Sequence, residues 1–293
     1  MNTKHTGAGA LFAASLGCGT AGTRAAEIHV MSTVAFKGAY LAMLPAFERT
    51  SDPKVVTRWV PTVEVLRRIK AGATVDLVLM AANSLEDLAK AGKIDAASQT
   101  PFVKSGVGMA VRANTPRPDV SSVEASKRTL LAAKSAGYST GPSGSYIVGH
   151  FERLGIAAEI KAKTKLIQGE PVGEFVARGE AETSFRQIPE LLPVRGIQYL
   201  GPLPAEIQYT TVFSAGIHTT AKQAEAARAW IKFLQTPETA VSYKKYGMEV
   251  ESDWAYAAVR LWRGRTAMRR DAARRIESQH RRKPSQPFTH TPG

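Results

Sequence analysis

The chain has 293 residues, of which 44% are apolar and 22% charged, the balance of a folded globular protein rather than a disordered one. No apolar run reaches the ~18 residues of a membrane-spanning helix, and the single cysteine, Cys18, excludes internal disulfides and thiolate metal centres. The net charge of +14 is unevenly placed, since residues 250–293 hold ten Lys/Arg against four Asp/Glu.

The N-terminus differs in kind from the rest of the chain. Lys4 and His5 precede the apolar stretch GAGALFAASLGCGTAG, and no acidic residue occurs before Glu27. A basic start, a short apolar centre and small residues near a cleavage point predict a secretory signal over 1–26, cut after Ala25 or Ala26. Ser15 stands where a lipoprotein signal would carry Leu or a similar residue, which disfavours lipidation of Cys18. The mature protein is then expected in the periplasm, without any cysteine.

Strand-like and helix-like stretches alternate from Glu27 onward, the pattern of an α/β protein. EIHVMST (27–33) reads as a strand, GAYLAMLPAFERT (38–50) as a helix, KVVTRW (54–59) as a strand and VEVLRRIKAG (63–72) as a helix. TVDLVLMAA (74–82) is a buried strand and SLEDLAKAG (84–92) a helix, with Ser84 and Asp87 forming a capping box. A second series comprises strands at 106–112, 136–140, 164–168, 181–185 and 197–203. Helices are expected at 122–134, after the turn TGPSGS (140–145) and at 171–180. YTTVFSAGIH (209–218) is long enough to return to the first series, where helices at 222–235 and 237–247 complete the fold. Pro237 at a helix start costs nothing, because that N–H has no intrahelical partner.

This order of elements predicts two lobes, 27–105 completed by 214–249, and 106–213, joined by two crossing strands with a cleft between them. Ligands in such sheets sit at the carboxyl ends of strands, where turns lead into helices. Four turns meet that description: STVAFKG (32–38), VPT (60–62), TGPSGS (140–145) and FRQIPE (185–190). Thr62 is placed to cap its helix. TGPSGS opens a helix whose first N–H groups and dipole favour an anion, the plain alternative being a cap supplied by Ser143 or Ser145.

The segments LPAFERT, VEVLRRIKAG, DLVLMAANSLEDLAKAGKI, SGVGMAVRANTPRPDVSSVEA, LLAAKSAGYSTGPSG, RQIPELLPVRGIQYLGPLPAEIQ and AARAWIKFLQTPETA, in this order, resemble the bacterial periplasmic solute-binding proteins of the molybdate-binding type. The similarity runs from about Ala26 to Glu249 and implies the two-lobed type II periplasmic binding fold. It also implies capture of a small anion, a molybdate-like oxyanion or a small polycarboxylate, for an ABC-type importer whose membrane permease is the partner. By resemblance Ser32 and Thr33 belong to the first ligand loop, Thr62 to the second, Ser143, Gly144 and Ser145 to the third, and Gln187 to the fourth. The second loop departs from the family pattern, with Val60-Pro61-Thr62 in place of a Gly-Ser-rich turn. Lys37 stands where some members carry a basic residue, and a cation beside the site favours carboxylates.

A binding protein without enzymatic activity is the first expectation. One branch of the family carries an aconitate isomerase, so isomerisation of a small unsaturated polycarboxylate is the alternative, with Lys37 and Glu190 moving the proton. No cofactor is expected. His29, His150 and His218 stand singly, without metal-ligand spacing, so no metal is expected either. The basic tail 250–293 lacks any nucleic-acid motif and reads as a disordered or weakly helical extension. A monomer that does not bind nucleic acid is expected.

Overall fold

The computed structural model describes residues 27–250 apart from 52, 140 and 169. The expected signal segment and the tail beyond Val250 lie outside the described residues.

The first lobe begins with β1 (Glu27–Ser32), α1 (Lys37–Thr50), β2 (Lys54–Trp59), α2 (Thr62–Lys70), β3 (Leu77–Ala81), α3 (Ala82–Lys90) and β4 (Thr100–Ser105). The second holds β5 (Val107–Arg112), α4 (Val123–Ala132), β6 (Ala136–Ser139), α5 (Pro142–Arg153), α6 (Ala157–Lys161) and β7 (Thr164–Ile167). It continues with α7 (Val172–Ala177), β8 (Thr183–Gln187), α8 (Ile188–Leu191) and β9 (Ile197–Pro202). The chain then returns to the first lobe as β10 (Thr211–Ile217), α9 (Ala224–Leu234), α10 (Pro237–Lys245) and β11 (Glu249–Val250).

Each lobe is built on its own sheet, in the orders β11-β4-β10-β3-β1-β2 and β7-β6-β8-β5-β9. β1 is parallel to β2 and β3, and β6 to β7 and β8, whereas the crossing strands β10 and β5 run antiparallel to their neighbours. The parallel strands therefore all deliver their carboxyl ends to one edge, and in both lobes that edge faces the cleft.

β3, LVLMA, is buried on both faces, as a strand covered by helices on each side must be. On one face Phe36, Tyr40, Trp59, Phe102, Phe213 and the fully buried Trp230 make a cluster of edge-on and tilted rings, among them Tyr40–Trp230 at 5.1 Å. On the other face Met31, Val65, Ile69, Val78, Met80 and Leu85 form a second cluster. The second lobe packs Val107, Met109, Ile147, Phe151 and Phe185 into a core of its own.

Three sequence expectations are corrected here. Ser84 and Asp87 form no capping box, because α3 starts at Ala82 and Ser84 is already inside it, its N–H taken by Asn83 Oδ1 at 2.8 Å. Thr62 does not cap α2; Pro61 occupies that position without a side-chain cap, and Thr62 is the first helical residue. β4 and β11 add two strands to those expected, and β11 includes Val250, the first residue assigned to the tail, paired with Val103.

The lobes meet at two crossings, Ser105-Gly106-Val107 and 208–211. Gln208 clamps them together. Its Oε1 accepts from Val107 N at 2.7 Å and Tyr209 N at 2.9 Å, while Nε2 donates to Val107 O at 3.1 Å and Leu203 O at 3.2 Å. Gly106 is required by that contact, since a Cβ there would lie 2.9 Å from Gln208 Cδ.

Candidate functional site

A cleft of about 570 Å³ separates the lobes, lined from both sides by strand ends and helix starts. From the first lobe come Thr33, Lys37, Leu41, Trp59, Thr62 and Val63; from the second come Ser139, Ser143, Arg186, Gln187 and Glu190.

On the first-lobe wall, Thr33 follows β1 and is held by its N–H to Leu79 O at 3.0 Å. Thr62 Oγ1 lies 3.4 Å from Thr33 Oγ1, so two buried hydroxyls from separate turns share one spot. Ser32 is placed underneath rather than on the lining: it is fully buried and its Oγ donates to Thr33 O at 3.0 Å. Lys37, the first residue of α1, is exposed at the rim with its ammonium 6.0 Å above the Trp59 ring. Leu41 and Val63 expose about half their surface on the same rim, giving this wall an apolar margin.

The second-lobe wall is more polar. α5 starts at Pro142 with Gly141 at its N-cap and no side-chain cap, so neither Ser143 nor Ser145 serves as one. Ser143 is buried against the cleft, while Ser145 is exposed and outside its lining. Gly144 is buried where the helix crosses β6; a Cβ there would lie 1.7 Å from Ser139 O. Glycine is thus needed to bring the helix start to the strand end, independently of any ligand. Gln187 is committed to the crossings. In the amide orientation that satisfies both ends, it accepts from Thr211 Oγ1 at 2.7 Å and donates to Ser105 O at 3.1 Å and Gly106 O at 3.2 Å.

Arg186 is the residue that sequence reasoning missed, although FRQIPE contains it. Its guanidinium reaches Glu190 Oε2 through Nη2 at 2.5 Å and Nε at 2.8 Å, and Nη1 bonds Ser139 Oγ. The two side chains are only 14% and 11% exposed, so this is an ion pair withdrawn from bulk water. Burial pushes the Glu190 carboxyl above the ordinary carboxylate range, and Arg186 opposes that shift. The available signal was positional: Arg186 stands near the carboxyl end of a strand, in one of the four turns expected to face the cleft and four residues before Glu190.

Glu170 and Glu174 also line the second-lobe rim, and Glu170 is paired with Arg178 at 2.8 Å. His29, His150 and His218 are not among the lining residues. Among the described residues, no three His, Cys, Asp or Glu side chains cluster as a metal site would require.

A family model for bacterial extracellular solute-binding proteins matches residues 28–249. An aconitate isomerase from Pseudomonas sp is 32% identical over 228 residues, covering 76% of this chain and 87% of the relative. The molybdate-binding protein ModA from Azotobacter vinelandii is 28% identical over 250 residues, covering 81% of this chain and 94% of ModA. The solved structure of the periplasmic molybdate-binding protein from Azotobacter vinelandii superposes with a TM-score of 0.64 at 17% identity. That match covers 75% of this chain and 98% of the other. The two-lobed architecture expected from the sequence is thus the one observed. The matched span runs from the first strand to the last, and the chain belongs to the bacterial extracellular solute-binding protein family.

Proposed function

We propose that the chain captures a small organic anion in the inter-lobe cleft, as the periplasmic component of an ABC-type importer. The observation that carries this reading is Arg186, a guanidinium sheltered on the second-lobe wall and bonded to Ser139 Oγ, with Ser143 on the same wall and the hydroxyls of Thr33 and Thr62 on the facing one. A guanidinium recognises carboxylates through paired N–H bonds, and hydroxyls from both lobes would complete the site on closure. The cleft volume and the apolar margin of Trp59, Leu41 and Val63 suit a ligand with a carbon skeleton. Lys37, across the cleft, supplies a second cation for a polycarboxylate. Export through the segment 1–26 is part of the same reading.

Thermal shift on the mature protein with citrate, cis- and trans-aconitate, molybdate, tungstate, sulfate and phosphate tests it. A ligand at a thousand times its Kd adds about 4 kcal/mol, which raises Tm by roughly 8–16 °C for a core of this size. A polycarboxylate is expected to give that rise and Arg186→Met to abolish it. A shift with molybdate alone, retained in Arg186→Met, would overturn the choice of ligand class.

A second reading is favoured by Glu190. A buried carboxyl whose pKa is raised by burial is a candidate for holding and releasing a proton, and the isomerase relative is consistent with such a role. Interconversion of cis- and trans-aconitate followed by NMR, present in the natural chain and lost in Glu190→Gln, would establish enzymatic activity.

A further inference from the structure

We propose that Glu190 is the cleft's resident anion: it occupies Arg186 until a ligand carboxylate displaces it, and on displacement it takes up one proton. The inference rests on the reading of the cleft as an anion site and adds a proton to its binding equilibrium.

The geometry sets up the competition. Arg186 directs Nε and Nη2 to one oxygen of Glu190, and Nη1 to Ser139. That two-pronged face of the guanidinium is the one a ligand carboxylate uses best. Two carboxylates cannot share it unprotonated at hydrogen-bond range in a sheltered site, because like charges so close force one of them to hold a proton. α8, which carries Glu190, is a single short turn fixed between β5, β8, β9 and the turn Val34–Phe36. The backbone beneath Glu190 is therefore fixed, and its side chain, 11% exposed, stays close to Arg186 on the cleft wall.

No other cation on the described cleft wall is placed to replace Arg186 as its partner. Among the described lining residues the cations are Arg186 and Lys37, and Lys37 lies over Trp59 on the opposite lobe. Arg112, at the far end of β5, packs against Gly179. β9 brings no charged side chain, its one titratable group being Tyr199, which burial pushes up to about 12 and so keeps neutral, and the turn Val34–Phe36 is apolar. Glu170 and Glu174, on the rim, are further negative charges. Burial already favours the neutral form of Glu190, and a ligand anion removes the restraint that Arg186 exerts. Arg186 stays charged throughout, and the proton comes from solvent.

Calorimetric titration with citrate, cis-aconitate and molybdate, between pH 6 and 9 in buffers of differing ionisation enthalpy, counts the protons directly. With a polycarboxylate the natural chain is expected to take up close to one proton per ligand. Its Kd is expected to weaken by up to tenfold per pH unit above the Glu190 pKa. Glu190→Gln should bring the count near zero and flatten the pH dependence. Binding heat with no proton uptake in the natural chain at any pH would overturn the proposal without needing the variant. Equal uptake in the natural chain and Glu190→Gln would overturn it as well. No heat with any of the three anions would remove the underlying anion-site reading, a different failure from the first two.

Discussion

His150 lies in α5 with its ring stacked on Tyr146 at 5.8 Å and its Nδ1 3.3 Å from Arg153, while Nε2 is buried without a hydrogen-bond partner. Burial, then Arg153, holds its pKa below the ordinary value of 6.5. The unfolded chain binds that proton more readily, so the stability His150 contributes is full above about pH 6.5 and is lost as pH falls through the folded value. Glu190 has the opposite sign: its folded pKa is raised, so its contribution is full below about 4.5 and is lost as pH rises through the folded value. His150→Phe keeps the stack and removes the titration. Melting curves between pH 5 and 8 should show a shallower acid limb in that variant, with Tm at pH 8 equal to or above that of the natural chain. A steeper acid limb would contradict the assignment. At this scale the sequence was partly legible. Thr33, Thr62 and Ser143 stand on the cleft wall because a turn at the carboxyl end of a parallel strand has nowhere else to face. Arg186 had only its place in a cleft-facing turn to mark it, because a lone arginine between Phe185 and Gln187 carries no periodic signal, and its bond to Ser139, distant in sequence, could not be read.

Gly144 shows what an element demands of one position. Alanine is the better helix former by about 1 kcal/mol, yet a Cβ at Gly144 would lie 1.7 Å from Ser139 O, so α5 and β6 would have to separate. Gly144→Ala is expected to cost about 1–3 kcal/mol net, a fall of several degrees in Tm. The exposed Ser145→Ala, one residue on, should stay within about 0.5 kcal/mol of the natural chain. Thermal melts of the two variants side by side decide this, and equal stability would mean that the helix start yields freely. The longer helices and most strands could be read from the alternation of apolar and polar residues, which reports burial directly, whereas the short α6 and α8 were not among the expected helices. β4 could not. TPFVKS places Pro101 where a strand needs a donor, and the pairing with β10 slips between Phe213 and Ser214 to accommodate it. The capping box at Ser84 failed for a related reason: SLED matches the cap pattern, but α3 follows directly on β3 and has already begun there.

Across the whole molecule, the two sheets communicate through very little backbone. Gln208 and Gln187 together bond to Ser105, Gly106, Val107, Leu203, Tyr209 and Thr211, tying both crossings into one joint. Removing the Gln208 amide leaves the Val107 N–H and carbonyl to find other partners, at about 1–3 kcal/mol. Gln208→Ala should therefore loosen the joint more than either lobe. Small-angle scattering is expected to give a larger radius of gyration at unchanged helix content by circular dichroism, and an unchanged radius would refute the joint's role. The C-terminal boundary belongs to the same scale. Val250 pairs with Val103 and packs against the first-lobe core, and the family match ends at 249. A chain ending at Val250 should melt cooperatively at the temperature of the full chain, whereas one ending at Met248 loses β11 and should melt earlier. Coincident melts of the two shorter chains would show that β11 adds nothing.

Trp59 has a practical consequence. The chain contains four tryptophans, and a chain ending at Val250 keeps two of them, Trp59 and Trp230. Trp230 is fully buried among core rings, so its surroundings are the same whether the lobes are apart or together. Trp59 stands on the cleft wall beneath the Lys37 ammonium, where a ligand or an approaching lobe replaces the water beside its indole. A change in emission when an anion is added to that chain would therefore report one side chain. The protein carries its own optical gauge of closure, with a silent internal standard in the core.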